Sequence, residues 1–304
     1  MLQVKASVQV EEGECATLAN MRVSSFHRSA GAFSLTELLM VMVTIAIMAA
    51  LMLPALSKAK QQITASSCLN NQKQLAYAFH IYAQDNSDRI VQMADYNTGA
   101  DIWPAGGFWG GPVTSPDSWK SQNDALSAVQ AGLESSNAFY FYCSMVEAYH
   151  CPADLRILNN PASHNPNGWA YDSYARSQNL GGEPYDNYWG AGATYTKISF
   201  IASPSTTFAL IEDADWRGYN VGTWAVDWTG DSFAWQKPLA LRHHNVDSIA
   251  FADGHAELHK WTDPELIAAG QAAAHGRHEL NWQGPTSGAD YVFVYKGYQF
   301  PGHP

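Results

Sequence analysis

Ala32-Phe33-Ser34-Leu35-Thr36-Glu37-Leu38-Leu39-Met40-Val41-Met42-Val43-Thr44-Ile45-Ala46-Ile47-Met48-Ala49-Ala50-Leu51-Met52-Leu53-Pro54-Ala55-Leu56 holds one charge, Glu37, and none follows until Lys58. As a helix, Phe33 to Leu56 spans about 36 Å, enough to cross a bilayer. A secretory signal or simple signal-anchor is the ordinary explanation of such a run. Two features oppose it. A carboxylate within an apolar span costs roughly 2.5–3.5 kcal/mol at mid-membrane. No small-x-small cleavage site follows the run, where a secretory signal places one. Glu37 therefore requires a reason of its own.

Residues Ala32 to Leu39 resemble the processing site of type IV prepilins and type II secretion pseudopilins. The resemblance implies a peptidase cut on the cytoplasmic side, before the apolar segment, and methylation of the new N-terminal amine. Cutting between Ala32 and Phe33 makes Phe33 the first residue and Glu37 the fifth, the family's position for its glutamate. The family prefers Gly before the cut; here Gly31 stands one residue further back, and a cut after it makes Glu37 the sixth. Pro54 becomes the twenty-second residue, where pilins carry a helix-weakening proline. Residues 1–32 then form a leader, with its working start at Met1 or Met21, and Arg22 and Arg28 hold it in the cytoplasm. Lys58 and Lys60 flank the far side, so orientation rests on the resemblance more than on charge.

Composition fits an exported protein. The chain has 304 residues, 15% of them charged, and a net charge of −11. Few cations argue against nucleic acid as partner, because phosphate contacts need clustered Lys and Arg. Cys143 and Cys151 are close enough in sequence to form a disulfide in an exported head, and read equally as unpaired buried thiols. Neither has the Cys-x-x-Cys spacing of a zinc or redox site.

Past Pro54 the pattern predicts an amphipathic continuation over 57–84, with Leu56, Ala59, Ile63, Leu69, Ala76, Phe79 and Ala83 as the apolar stripe. Asp85 to Asp88 ends it with turn residues. The remainder, 85–304, is a loop-rich head. Strands are predicted at Thr194–Ile201 and Thr206–Ile211, with Glu212 to Trp216 as an acidic loop and Trp224 to Trp235 as a turn-rich insertion. The strongest strand signal is the hairpin within 243–261. Asp253-Gly254 between alternating runs predicts a two-residue turn that pairs Phe251 with Ala256 and Ile249 with Leu258.

His243 precedes Asp253-Gly254 by ten residues, which resembles the H-X9-DG signature of a large class of prepilin-like proteins. Cys68 to Leu75, Tyr82 to Asp88 and Cys151-Pro152-Ala153-Asp154 are similar to the same class. A strand between His243 and Asp253 separates them by well over about 15 Å, so Asp253-Gly254 reads as turn chemistry and His243 as a packing or capping residue. His255 and His259, two apart on one strand face, stand roughly 13 Å apart and do not share an ion. Pseudopilin heads often bind calcium. Asp213 and Asp215, Asp227 and Asp231, or Asp85 and Asp88 are the weak calcium candidates, and read first as solvated turns. No other cofactor is expected, and no hydrolase or phosphate-cradling motif is present in the sequence.

The resemblance implies an α+β protein: a long N-terminal helix, membrane-spanning over 33–56 and amphipathic beyond, packed on an antiparallel sheet head. It implies a non-enzymatic subunit of a type II secretion or type IV pilus-like filament. Such a subunit sits in the inner membrane as a single span, its head periplasmic or extracellular. The implied partners are other pilin or pseudopilin subunits, a prepilin peptidase, an inner-membrane assembly platform and lipid. The alternative is a membrane-tethered lectin-like binding protein that keeps the pilin-type anchor, with the Trp-rich head as its aromatic platform.

Overall fold

A computed structural model describes residues 34–91, 140–155, 171–181, 194–214, 223–229, 232–235, 239–274 and 287–302, with scattered helical residues between 123 and 134. Ala32, Phe33 and Asp215 lie outside the described residues, as does the rest of the leader. The chain divides into two compact units, Met1–Met52 and Leu53–Pro304.

Helix α1, Leu35–Asp85, runs for 51 residues through Pro54. Its start is a reciprocal cap. Ser34 N–H and Oγ–H donate to Glu37 Oε2 at 2.9 and 2.8 Å, and Glu37 N–H returns a bond to Ser34 Oγ at 3.2 Å. Ser-x-x-Glu is the capping box, which satisfies amide hydrogens that a first turn leaves unpaired. The large side chains from Leu35 to Leu56 are exposed. This apolar half is long enough to cross a membrane, a length that a signal sequence also reaches.

Within the second unit, α1 buries Ala65, Cys68, Gln72, Leu75, Ala76, Phe79 and Ala83. Their three- and four-residue spacing forms one stripe. The predicted stripe holds at Leu69, which packs partly buried against the core, and from Ala76 onward, and it fails at Leu56, Ala59 and Ile63. Leu56 and Ile63 are 68% and 67% exposed, because the sheet covers the helix only from Ala65, and polar Gln72 lies in the buried face.

The sheet has the order β3-β1-β2-β6-β7. Its strands are β1 (Tyr174–Ser177), β2 (Phe208–Glu212), β3 (Thr223–Trp224), β6 (Val246–Phe251) and β7 (Ala256–Lys260). β1, β2, β6 and β7 are antiparallel neighbours, and β3 joins β1 in parallel. The short strands β4 (Val226–Thr229) and β5 (Ser232–Trp235) form a separate hairpin where a turn-rich insertion was expected. The α+β class holds. The strand predicted at Thr194–Ile201 does not form. Tyr195 and Lys197 make isolated bridges to Leu180 and Arg89, and Ile198–Phe200 is a 3-10 turn.

The sheet is covered on both sides, so β2 is buried throughout and β6 from Asp247 onward, on both faces. One face carries Tyr174, Leu210, Ala250 and Ala256 against Cys68, Leu75 and Phe79 of α1. The other carries Ala175, Ile211, Ile249 and Phe251 against α2 (Pro264–Ala274) and α3 (Ala289–Gly297) through Leu266, Val294 and Tyr298. Helix α2 begins on Asp263, whose Oδ1 accepts from the amides of Glu265 and Leu266 at 2.9 and 3.0 Å. Asp then Pro is an N-terminal signal already present in the sequence. Gly297 lets α3 approach β2 closely, since a Cβ there would stand 2.1 Å from Phe208 Cζ.

The β6–β7 hairpin forms, with a register one residue off the prediction. Ala250 faces Ala256 and Ile249 faces Glu257. Phe251 N–H donates to His255 O at 2.8 Å, which leaves a three-residue loop, Ala252-Asp253-Gly254. Gly254 takes φ +92°, the left-handed position that closes such a loop. A one-residue shift exchanges faces. Leu258, expected in the core with Ile249, lies opposite Ser248 and is 40% exposed.

Candidate functional site

Four segments far apart in sequence meet between α1 and the sheet. α1 supplies Thr64, Cys68, Asn71 and Gln72. The segment after the Val146–Tyr149 turn supplies Cys151 and Asp154. The end of β2 supplies Glu212, and the approach to β6 supplies Arg242, His243 and Ser248.

The helix docks by side chains that satisfy backbone groups. Asn71 Nδ2 donates to Glu147 O at 3.1 Å and His150 O at 2.8 Å. Gln72 Nε2 donates to Ser248 O and, at 3.1 Å, to Ser248 Oγ. A buried amide without such partners costs about 1–3 kcal/mol, so these bonds fix where along the helix the sheet can sit. Next to them Cys68 is joined to Cys151 by a disulfide with Cα atoms 5.3 Å apart, which ties the helix to the head.

The expected Cys143–Cys151 pairing is thereby corrected. Cys143 is a buried free thiol, and burial pushes it above the ordinary thiol range. Tyr149 Oη–H donates to Cys143 O at 2.9 Å across the intervening turn. That turn presents Cys151 to α1.

His243 occupies the centre of the cluster, where a packing or capping role was expected. Its Nε2 lies 3.1 Å from Cys68 Sγ, 3.3 Å from Cys151 Sγ and 3.5 Å from Glu212 Oε1, while Nδ1 lies 3.2 Å from Thr64 Oγ1. Burial lowers its pKa first; Glu212 opposes that shift and Arg242 adds to it. Glu212 is held by Ser248, whose Oγ–H donates to Oε1 at 2.7 Å. The register that sets Ile211 opposite Ile249 brings these two residues together.

Arg242 is the cluster's fixed cation. Its guanidinium lies 3.0 Å from Asp154 Oδ2 and 3.7 Å from Glu212 Oε2, all three side chains being at most 1% exposed. It also donates to Asp213 O at 2.7 Å and Ser173 O at 3.3 Å. Ser173 Oγ–H donates to Asp154 at 2.7 Å and accepts from Cys151 N–H at 2.9 Å. Asp247 is buried beside this group. Burial, then the neighbouring Glu212 charge, raise its pKa well above the ordinary carboxyl range.

The remaining predicted residues do other things. Asp253 is part of the β6–β7 turn, its Oδ1 accepting from His255 N–H at 3.1 Å, with β6 between it and His243. His255 stacks on Phe251, and His259 stacks on Phe293 beside Asp290. Asp213, a calcium candidate, is fully buried beside the sheet instead of in a solvated turn, and Asp88 is taken up by Ser199 N–H at 3.2 Å. Glu212, placed by sequence in an acidic loop, is a buried strand end. Arg242, Glu212 and Asp154 as a group escape sequence reasoning. The only signal was that His243, Cys68 and Cys151-Pro152-Ala153-Asp154 sit in the motifs that carry the prepilin-like resemblance. No family model, curated protein or solved structure matches the chain.

Proposed function

We propose that this chain is a pilin-like structural subunit, anchored and assembled through α1. The observation that supports it is the division of one continuous helix. Residues 35–56 present exposed apolar side chains, while 65–83 bury one stripe against the sheet. An exposed apolar surface of that length needs lipid or other subunits to cover it. The polar cluster supports the same reading, since its bonds and its disulfide lock helix to head so that a load on the helix reaches the folded unit.

In this proposal a prepilin peptidase cuts between Ala32 and Phe33, and the Phe33 amine is methylated. The processed protein is held in the membrane with its head outside the cytoplasm. On assembly Glu37 leaves its bond to Ser34 and pairs with the Phe33 amine of a neighbour, an exchange that keeps the carboxylate hydrogen-bonded at each stage. Mass spectrometry of the membrane-inserted form tests the first step: a chain beginning at methylated Phe33 is expected, and residues upstream of Phe33 would refute it. Glu37→Gln tests the second. Gln preserves the capping box and removes the charge, so filament incorporation should fail although α1 is intact. Normal incorporation of Glu37→Gln would sink the pairing.

A further inference from the structure

His243 Nε2 and the three atoms around it are four electron-pair donors that carry no hydrogen. Thr64 Oγ–H donates to Gln61 O at 2.9 Å, so toward His243 Nδ1 at 3.2 Å the hydroxyl oxygen is the acceptor. Nδ1 then carries the imidazole hydrogen and Nε2 presents its lone pair. That lone pair faces Cys68 Sγ, Cys151 Sγ and Glu212 Oε1, and the four donor atoms all lie within 4.8 Å of one another. All four residues are buried. Glu212 Oε2 faces Arg242 at 3.7 Å, on the side away from His243 Nε2. A carboxylate oxygen and an imidazole lone pair aimed at one point out of water form an arrangement that suits a positive centre between them.

Two sulfurs, one imidazole nitrogen and one carboxylate oxygen are ligands that zinc takes in closed, four-coordinate sites. Zinc–ligand lengths of about 2.0–2.3 Å place neighbouring ligands about 3.3–3.8 Å apart around a tetrahedron. The nitrogen-to-sulfur and nitrogen-to-oxygen separations of 3.1, 3.3 and 3.5 Å are near that scale. The outer contacts are those that hold zinc ligands in place: Thr64 on the far nitrogen of His243 and Ser248 on Glu212.

We propose that, with Cys68 and Cys151 as thiols, this pocket is a structural site for a zinc-class divalent cation held by Cys68, Cys151, His243 and Glu212. The disulfide and the metal exclude each other. A dithiol opens the S–S bond by giving two electrons and two protons and leaving as its own disulfide; a phosphine gives the two electrons and leaves as its oxide, water supplying the oxygen and the two protons. Metal binding then displaces those two protons and leaves two thiolates on the ion. The disulfide joins two of these segments by a covalent bond, and the metal joins all four by coordination. The inference does not rest on filament assembly.

The test uses the full chain in detergent with Cys15→Ser and Cys143→Ser, so that the only thiols are those of the pocket. After phosphine reduction and removal of the phosphine, titration with Co²⁺ should give a thiolate-to-cobalt charge-transfer band saturating at one ion per chain. Zn²⁺ should displace it, and the oxidised protein should show no band. His243→Ala and Glu212→Gln should each weaken Zn²⁺ binding at least tenfold. The oxidised-versus-reduced comparison needs no pocket variant to fold. Absence of the band in the reduced protein overturns the proposal. So does equal affinity in urea-unfolded chain, or affinity unchanged in both variants.

Discussion

Replacing Arg242 by Met removes the one fixed positive charge from a cluster that holds Asp154 and Glu212 out of water. The side chain reaches both carboxylates, at 3.0 and 3.7 Å, and donates to the carbonyls of Asp213 and Ser173. Met fills much of the same volume, so cavity formation is a small part of the loss. The dominant cost is two buried carboxylates, which also accept from the Ser173 and Ser248 hydroxyls, left without this cation. Breaking a buried ion pair by removing one partner costs about 3–5 kcal/mol. At about 2–4 °C per kcal/mol for a unit of this size, the melting temperature should fall by about 6–20 °C. Arg242→Lys keeps the charge but cannot reach all four acceptors, and should fall between Met and wild type. Thermal unfolding of the full chain in detergent, followed by circular dichroism, reads both. Adding Asp154→Asn to Arg242→Met should recover part of the loss, since one stranded charge is then gone. A melting temperature for Arg242→Met within 2–3 °C of wild type would refute the claim that this cation compensates the buried carboxylates.

Three further outcomes are expected. Cys151→Ser opens a disulfide that closes 83 residues of sequence separation, and should cost about 4–5 kcal/mol on the chain-entropy account. Peptide mapping should recover Cys68 joined to Cys151 and leave Cys143 alkylatable after unfolding; a Cys143–Cys151 peptide would overturn the pairing. Gly297→Ala places a methyl in the Phe208 ring and should cost about 1–3 kcal/mol; Phe208→Leu, which vacates that space, should reduce the penalty, and full additivity of the two losses would argue against the contact. Asp247 has a folded pKa raised above the ordinary 3.8, so its contribution is fully present below that pH and is lost as pH rises through the folded value. Asp247→Asn removes that slope. In urea titrations it should exceed wild type by at least about 1 kcal/mol at pH 8, with the difference fading toward pH 4, and an equal difference at both pH values contradicts a raised Asp247 pKa.

Sequence by itself determined what nearest neighbours decide. The uncharged run after Glu37 makes an apolar helix, because its side chains have no alternative to burial in lipid or protein. Ser34 and Glu37 stand at capping-box spacing, Asp263-Pro264 starts α2, and Asp253-Gly254 turns the β6–β7 hairpin. Each is an interaction across a few residues and is written where it acts. The hairpin's register marks the limit of that rule. Two-residue and three-residue loops suit the same Asp-Gly, and what separates them is which face of β6 and β7 meets α1 and which meets α3.

Only the tertiary structure decided the cluster. Cys68, Asp154, Glu212 and His243 share no spacing that chemistry recognises, and the proximity of Cys143 to Cys151 in sequence pointed to the wrong pair. Those four residues meet because β2 and β6 are set in one register and α1 lies across them in one position, both fixed by burial on the two sides of the sheet. Burial also turns Glu212 from an acidic-loop residue into a buried strand end facing His243, and raises the pKa of Asp247. Partner and charge state there depend on what the fold excludes from the site, which is water.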